Sequence, residues 1–218
     1  MPEPKIIGSE DLSPKDAKWV TLKKIHWADP TGKERVWESA ERTTRGSSGI
    51  DAVAVLAILR SETNKFPTST VIIEQYRPPV AKYVVGIRSI DGCIVGLIDD
   101  GETPEDAAIR ELEEETGFKA RDVLESSPML VADPGMTNAN MKLVMVDVPF
   151  KGDLEISEQK LDSGEFITRR IVELSKLSEE FAKYEQKGYV VDAKLAHFAH
   201  GYDVARKLQS GQLAGKLD

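Results

Sequence analysis

The feature that most limits how this chain folds is the run Gly96-Leu-Ile-Asp-Asp-Gly-Glu-Thr-Pro-Glu-Asp-Ala-Ala-Ile-Arg-Glu-Leu-Glu-Glu-Glu-Thr-Gly-Phe118. Thr103 suits a helix N-cap, Pro104 the first helical position, and Asp106 stands three after the cap, where a capping box places its acid. Gly117 suits the left-handed residue that ends a helix, and Phe118 the apolar contact that goes with it. These signals predict a helix from Pro104 to Thr116. At about 100° per residue, Ala108, Ile109, Leu112 and Thr116 share an arc that should face a core. Glu111, Glu114 and Glu115 share the arc beside it, while Glu113 points well away. Crowded carboxylates repel each other unless a cation stands among them. Arg110 pairs only with Glu114 at i+4, so a divalent ion would have to neutralise the remainder.

A Glu-rich helix taken alone is most often a solvated acidic face. Trp19 to Trp27 and Arg35 to Glu41 read as two strands joined by the turn sequence Asp29-Pro30-Thr31-Gly32, a β-hairpin. Further strands are expected at Asp51 to Leu59, Thr70 to Tyr76, Lys82 to Ile87, Val123 to Val131, Met141 to Val148 and Glu165 to Val172. Pro78 and Pro79 stop the second of these because proline cannot donate to a ladder. Two helices, Ser178 to Gln186 and Asp192 to Leu208, close the chain. The pattern predicts a mixed sheet packed between helices.

A net charge of −8 argues against a nucleic-acid binder, since phosphate backbones are held by clustered Lys and Arg. An anionic substrate would therefore need a metal. The one cysteine, Cys93, excludes an internal disulfide, and the polar start from Met1 to Ser13 lacks an apolar signal core. No run reaches the roughly 20 apolar residues of a membrane span. A cytoplasmic or nuclear location is the expectation. His197 and His200 lack zinc-site spacing and read as surface or packing residues.

Spacing changes the reading of the acidic helix. The run carries Gly, five residues, Glu, seven residues, then Arg-Glu-apolar-x-Glu-Glu-x-Gly-apolar, at Gly96, Glu102, Arg110, Glu111, Leu112, Glu114, Glu115, Gly117 and Phe118. In this it resembles the box of the Nudix hydrolases at every fixed position. The likeness extends to the eukaryotic ADP-sugar pyrophosphatases of that superfamily through Lys18-Trp19-Val20, Asp29-Pro30-Thr31-Gly32-Lys33, Trp37-Glu38-Ser39, Arg42-Thr43-Thr44-Arg45, Gln75-Tyr76-Arg77-Pro78-Pro79, Asp133-Pro134-Gly135 and Gly164-Glu165-Phe166. Pro134, sixteen residues beyond the box, matches the family's mark for ADP-ribose.

The resemblance implies an α+β fold, the Nudix α/β/α sandwich with a mixed sheet, preceded by an N-terminal β-strand region that dimerises. Residues 1–50 would form that region and residues 51–218 the hydrolase domain. It implies Mg²⁺ or Mn²⁺ on Glu111, Glu114 and Glu115, with the main-chain carbonyl at Val95 as a further ligand. Metal would polarise the diphosphate and acidify an attacking water, giving AMP and ribose 5-phosphate from ADP-ribose. Glu165 matches a late-loop glutamate that orients or deprotonates this water, and Arg110 joins Glu115 and Glu165 in the catalytic set. Trp19 and Trp37 match tryptophans that sandwich adenine, and Arg42 and Arg77 suit phosphate because a guanidinium donates two parallel hydrogen bonds. Glu38, Asp133 and Met136 complete the substrate contacts. Trp27, which matches no role, is expected in the core. The N-terminal strands would lend their aromatics to a partner's pocket in a two-fold homodimer.

One stretch departs from the family. Relatives reach the box glycine through Glu-x-Pro-Ala-Gly, whereas Gly92-Cys93-Ile94-Val95 precedes Gly96 here, and the interval from Pro79 is about six residues longer. Gly86 to Val95 therefore reads as an insertion or a replaced segment. Two other functions stand beside ADP-ribose hydrolysis: the same chemistry on another nucleoside diphosphate derivative, and ADP-ribose binding with impaired turnover.

Overall fold

The strand that organises the molecule is Ala-Val-Ala-Val-Leu-Ala-Ile-Leu from Ala52 to Leu59, apolar on both faces as a strand covered on both sides must be. In the computed structural model, which describes residues 3–46, 48–89, 101–161 and 163–212, its side chains divide by parity. Val53, Val55, Ala57 and Leu59 enter one core cluster with Ala107, Ala108, Leu112 and Phe118. Ala52, Ala54 and Leu56 enter a second cluster with Leu177, Tyr184, Leu195 and Ala199. Each fully buried Leu or Val contributes about 1.5–3 kcal/mol relative to exposure, so this one strand anchors both clusters.

The elements run β1 (Val20–Ala28), β2 (Glu34–Arg42), β3 (Ala52–Ser61), β4 (Ser69–Arg77), β5 (Lys82–Gly86), β6 (Arg88–Ser89), α1 (Pro104–Thr116), β7 (Asp122–Ser126), β8 (Leu130–Val131), β9 (Asn140–Phe150), β10 (Ile167–Glu173), α2 (Leu177–Gln186), β11 (Val190–Val191) and α3 (Ala193–Gln209). β3 pairs with β9 in parallel along its whole length, from Ala52 opposite Met141 to Ser61 opposite Phe150. β4 pairs antiparallel with β5 and with β10. β7 and β8 pair antiparallel with β9, and β11 adds to β5 in parallel. The result is a mixed α/β fold. α1 packs on β3 and β9.

The hairpin β1–β2 forms a sheet of its own, in register from Val20 opposite Arg42 to Ala28 opposite Glu34. Its turn is built by Asp29, whose Oδ1 accepts from the Thr31 N–H at 2.9 Å, the Thr31 hydroxyl at 2.6 Å and the Lys33 N–H at 3.1 Å. Gly32 supplies the left-handed residue, with φ of 82°. Because this sheet lies outside both core clusters, Trp27 is not a core residue as expected: it is 42% exposed.

Most expected strands appear within a residue or two of their sequence bounds. The expected strand from Val123 to Val131 divides into β7 and β8, separated by Ser127-Pro128-Met129, where Pro128 has no N–H to donate. The strand expected from Glu165 begins at Ile167, which leaves Glu165 in the preceding loop. Within α1, Ala107 takes the buried place expected of Ile109, which is half-buried. The segment expected to differ from relatives, Gly86 to Val95, lies outside the described residues from position 90 onward.

Candidate active site

The helix expected to carry the chemistry has the expected bounds and ends. The Thr103 hydroxyl oxygen accepts from the Asp106 N–H at 3.1 Å, capping the helix, and donates to Asp106 Oδ2 at 2.6 Å, so the acid holds the capping side chain and does not reach back to the Thr103 N–H as a full capping box would. Gly117 follows the last turn with φ of 71° and gives its N–H to the Glu113 carbonyl at 2.8 Å.

Between these ends Arg110 gathers the acids. Its Nε and Nη2 donate to the two oxygens of Glu102, both at 2.9 Å, in a bidentate pair. Its Nη1 reaches Glu111 Oε1 at 2.7 Å and Glu114 Oε2 at 3.2 Å. The expectation that Arg110 pairs only with Glu114 is thus corrected: helical side chains lean toward the N-terminus, which carries the guanidinium back to Glu102 ahead of the cap. The Glu102 carboxylate, and after it that of Glu111, hold the guanidinium even further in its charged form against the opposing effect of burial. The eight-residue step from Glu102 to Arg110 in the box is the step this fork spans.

Glu111 and Glu115 are 4% and 2% exposed, so two of the three acids turn into the protein, and Glu114 stays at the edge. Glu113 points elsewhere and pairs with Lys119 at 3.2 Å. Oxygen anions on one helical face, two of them buried, are donors of the kind a hard divalent cation takes, so the residues present fit Mg²⁺ in their chemistry. Among the described residues no three acidic, His or Cys side chains already converge as a ligand cluster. The carbonyl expected from Val95 lies outside the described residues.

Of the residues expected to take the substrate, Trp37 and Glu38 come together with the loop of Asp133 and Met136, while Trp19 and Arg42 lie five to six residues further along the hairpin. The indole N–H of Trp37 donates to the Gly135 carbonyl at 2.9 Å, and the Ala40 N–H to the Met136 carbonyl at 2.9 Å. β2 and the loop holding Asp133 and Met136 are therefore joined, and Glu38 lies between the two joined positions on the same strand. Trp37 and Trp19 remain 50% and 42% exposed, which leaves ring surface available to a ligand. Trp19 stands beside the end of β2, its carbonyl accepting from the Thr43 N–H at 3.2 Å, next to Arg42. Arg77 ends β4, half-buried, immediately before the prolines. Glu165 is half-buried in the loop before β10.

One residue that sequence reasoning left without a role joins the hairpin to the sheet. Arg45 grips Asp51 through Nε and Nη2, both at 2.7 Å, and reaches the Asn138 carbonyl at 2.8 Å. Asp51, 1% exposed, also accepts from the Asn140 N–H at 3.0 Å. Burial acts to raise the Asp51 pKa, but the hydrogen bonds from Arg45 and Asn140 outweigh it and hold the group below the ordinary carboxylate range. A lone acid just ahead of an apolar strand was the available signal.

A model of the NUDIX domain matches residues 50–193. The chain is 41% identical over 209 residues to an uncharacterised Nudix hydrolase of Schizosaccharomyces pombe, covering 95% of this chain and 97% of that one. It is 40% identical over 197 residues to the ADP-ribose pyrophosphatase of Saccharomyces cerevisiae, covering 88% and 80%. To the ADP-sugar pyrophosphatase of Mus musculus it is 36% identical over 176 residues, covering 75% and 76%. A solved structure of an ADP compounds hydrolase shares the fold, with a TM-score of 0.57 at 22% identity and 97% of each chain covered. With the box residues gathered on α1 as described, these matches establish that the chain belongs to the Nudix hydrolase superfamily, and its reaction is hydrolysis of a nucleoside-diphosphate-linked compound.

Proposed function

We propose that this protein hydrolyses the diphosphate of ADP-ribose, and of other ADP-sugars, to AMP and a sugar phosphate. The observation that carries the reading is the Arg110 fork, which draws Glu102, Glu111 and Glu114 together on the helix that also buries Glu115. The names of the yeast and mouse relatives support the adenine nucleotide. So does the pairing of Trp37 with the Asp133–Met136 loop, since an exposed indole fixed by its own N–H is a rigid stacking surface.

In this mechanism Glu111, Glu114 and Glu115 would hold Mg²⁺ or Mn²⁺, which supplies charge neutralisation of the diphosphate and a more acidic water. Trp37 takes one face of the adenine, with Glu38, Asp133 and Met136 beside it, and Trp19, six residues away along the hairpin, takes an adenine in the partner subunit's pocket of the homodimer. Arg42 and Arg77 hold phosphate oxygens. Glu165 accepts a proton from the attacking water as its oxygen bonds to one phosphorus. The bond from that phosphorus to the bridging oxygen breaks, and the bridging oxygen leaves with the other phosphate. Water and ADP-ribose thus become AMP and ribose 5-phosphate.

The α/β/α sandwich and the homodimer belong to the same reading. Leu22 and Val36 on one face of the hairpin, and Ile25 and Trp27 on the other, leave apolar side chains exposed, with Leu22 82% exposed, and a partner's surface would cover one of these faces. Sedimentation or light scattering of the purified chain tests the dimer.

The deciding experiment is product identification after incubation with ADP-ribose, ADP-glucose, NADH and diadenosine polyphosphates, each with Mg²⁺. AMP and ribose 5-phosphate from ADP-ribose at the highest kcat/KM is the expected result. Turnover of another compound alone would move the assignment within the superfamily, and tight ADP-ribose binding without turnover would make the chain a binder.

A further inference from the structure

The last turn of α1 ends against a stretch of chain far away in sequence. The Glu113 carbonyl accepts from Gly117, and the next three carbonyls are taken by residues outside the helix. Glu114 accepts from the Lys160 N–H at 2.6 Å, Glu115 from the Gln159 carboxamide at 2.6 Å, and Thr116 from the Arg169 guanidinium. These are the carbonyls that a helix leaves unsatisfied at its C-terminus. The strap formed by residues 157–160 lies so close that a Cβ on Gly117 would stand 2.6 Å from the Glu158 carbonyl oxygen and 2.9 Å from Ser157 Cβ. Arg169 also donates to the Ser157 carbonyl, so β10 holds the strap as well as the helix.

Gln159 adds a second bond. The same Nε2 that donates to the Glu115 carbonyl stands 3.4 Å from the Ile167 carbonyl, at the start of β10. An amide nitrogen carries two hydrogens, so one carboxamide serves both acceptors. Between Lys160, bound to Glu114, and Ile167, bound through Gln159 to Glu115, runs the short loop that holds Glu165. Both ends of that loop are therefore tied to the turn of α1 that carries Glu114 and Glu115.

We propose that Gln159 is a positioning residue for hydrolysis, setting the separation between the carboxylates of α1 and the carboxylate of Glu165. The proposal rests on the reading of Glu165 as the group that takes the proton from water. General-base catalysis needs that oxygen within hydrogen-bond reach of the water, and displacement of about 1 Å at a reacting centre costs up to about 100-fold in rate. Gln159 acts through the backbone at two places, the Glu115 and Ile167 carbonyls.

The test is a double-mutant cycle on the full chain with ADP-ribose and Mg²⁺, combining Gln159→Met, close in volume and unable to donate, with Glu165→Gln. Q159M is expected to lower kcat about 10- to 100-fold with KM within about twofold of wild type, and to speed amide hydrogen exchange over residues 163–168. In the E165Q background the same exchange should cost little further kcat, because the group it positions is already disabled. Equal fractional losses in both backgrounds, or a rise in KM matching the fall in kcat, would overturn the positioning role. Wild-type kcat in E165Q would instead remove Glu165 from the mechanism, and the proposal with it. Should Q159M fail to fold, Gln159→Asn, which keeps the amide and shortens its reach, enters the same cycle with the same expectations.

Discussion

The indole N–H of Trp37 donates to the carbonyl oxygen of Gly135 at 2.9 Å, joining the hairpin to a loop 98 residues further along the chain. The bond orients the ring while leaving half of its surface exposed. Trp37→Ala is therefore expected to weaken ADP-ribose binding by about 0.5–1.5 kcal/mol, the value of an aromatic pair beyond its burial, and to reduce the preference for adenine over guanine. Titration calorimetry with the two ADP-sugar and GDP-sugar analogues checks both. Unchanged affinity together with unchanged base preference would leave Trp37 a purely structural tie between β2 and the loop.

Glu115 and Glu113 lie two apart on α1 in opposite surroundings, one 2% exposed and the other paired with Lys119 at the surface. Glu115→Gln keeps the volume and removes the charge, so kcat should fall by about 100-fold or more with the thermal midpoint preserved. Glu113→Gln loses one exposed ion pair, with a cost of about 1 kcal/mol at most and no effect on kcat. Steady-state kinetics and melting curves of the two variants separate the outcomes. A large kcat loss in E113Q would show that the helix is rotated from the phase described.

Gly117 is held to glycine twice, by φ of 71° and by the strap that passes its α-carbon. Alanine there would meet the Glu158 carbonyl, a main-chain atom that is itself held by its neighbours' hydrogen bonds to α1. Gly117→Ala should destabilise the fold by about 1–3 kcal/mol. Urea unfolding measures the loss, and an unchanged midpoint would mean the strap does not rest on this residue.

The Arg45–Asp51 pair sets an acid limit on stability. Because the folded protein holds Asp51 below its ordinary range, the stabilisation is complete above the unfolded pKa of about 3.9 and is lost as pH falls through the folded value. Asp51→Asn should cost about 2–4 kcal/mol near neutral pH, since it leaves a guanidinium facing a neutral amide at a site that is 1% exposed. The gap between wild type and variant should narrow below about pH 4. Denaturant titrations at pH 7 and pH 3 test it, and a gap of constant size would contradict the assigned direction.

What the sequence determined by itself is local and stereochemical. The N-cap at Thr103, the left-handed Gly117 and the Asp29 turn are fixed by backbone geometry and hydrogen bonds across a few residues, and each stands where its residues place it. The spacing of the box carried the family, because Glu102, Arg110, Glu111 and Glu114 meet only at those intervals along a capped helix. Tertiary structure alone decided which surfaces dock. Trp27 carries an apolar ring, and its turn sequence announced the hairpin, yet nothing in its neighbours' sequence indicates that this hairpin would lie outside the core. Gln159 and Arg169 show no periodicity or motif, and their importance comes from the strap meeting the end of α1. A carbonyl freed by helix termination accepts any donor brought to it, so the donor's identity depends on how distant segments pack.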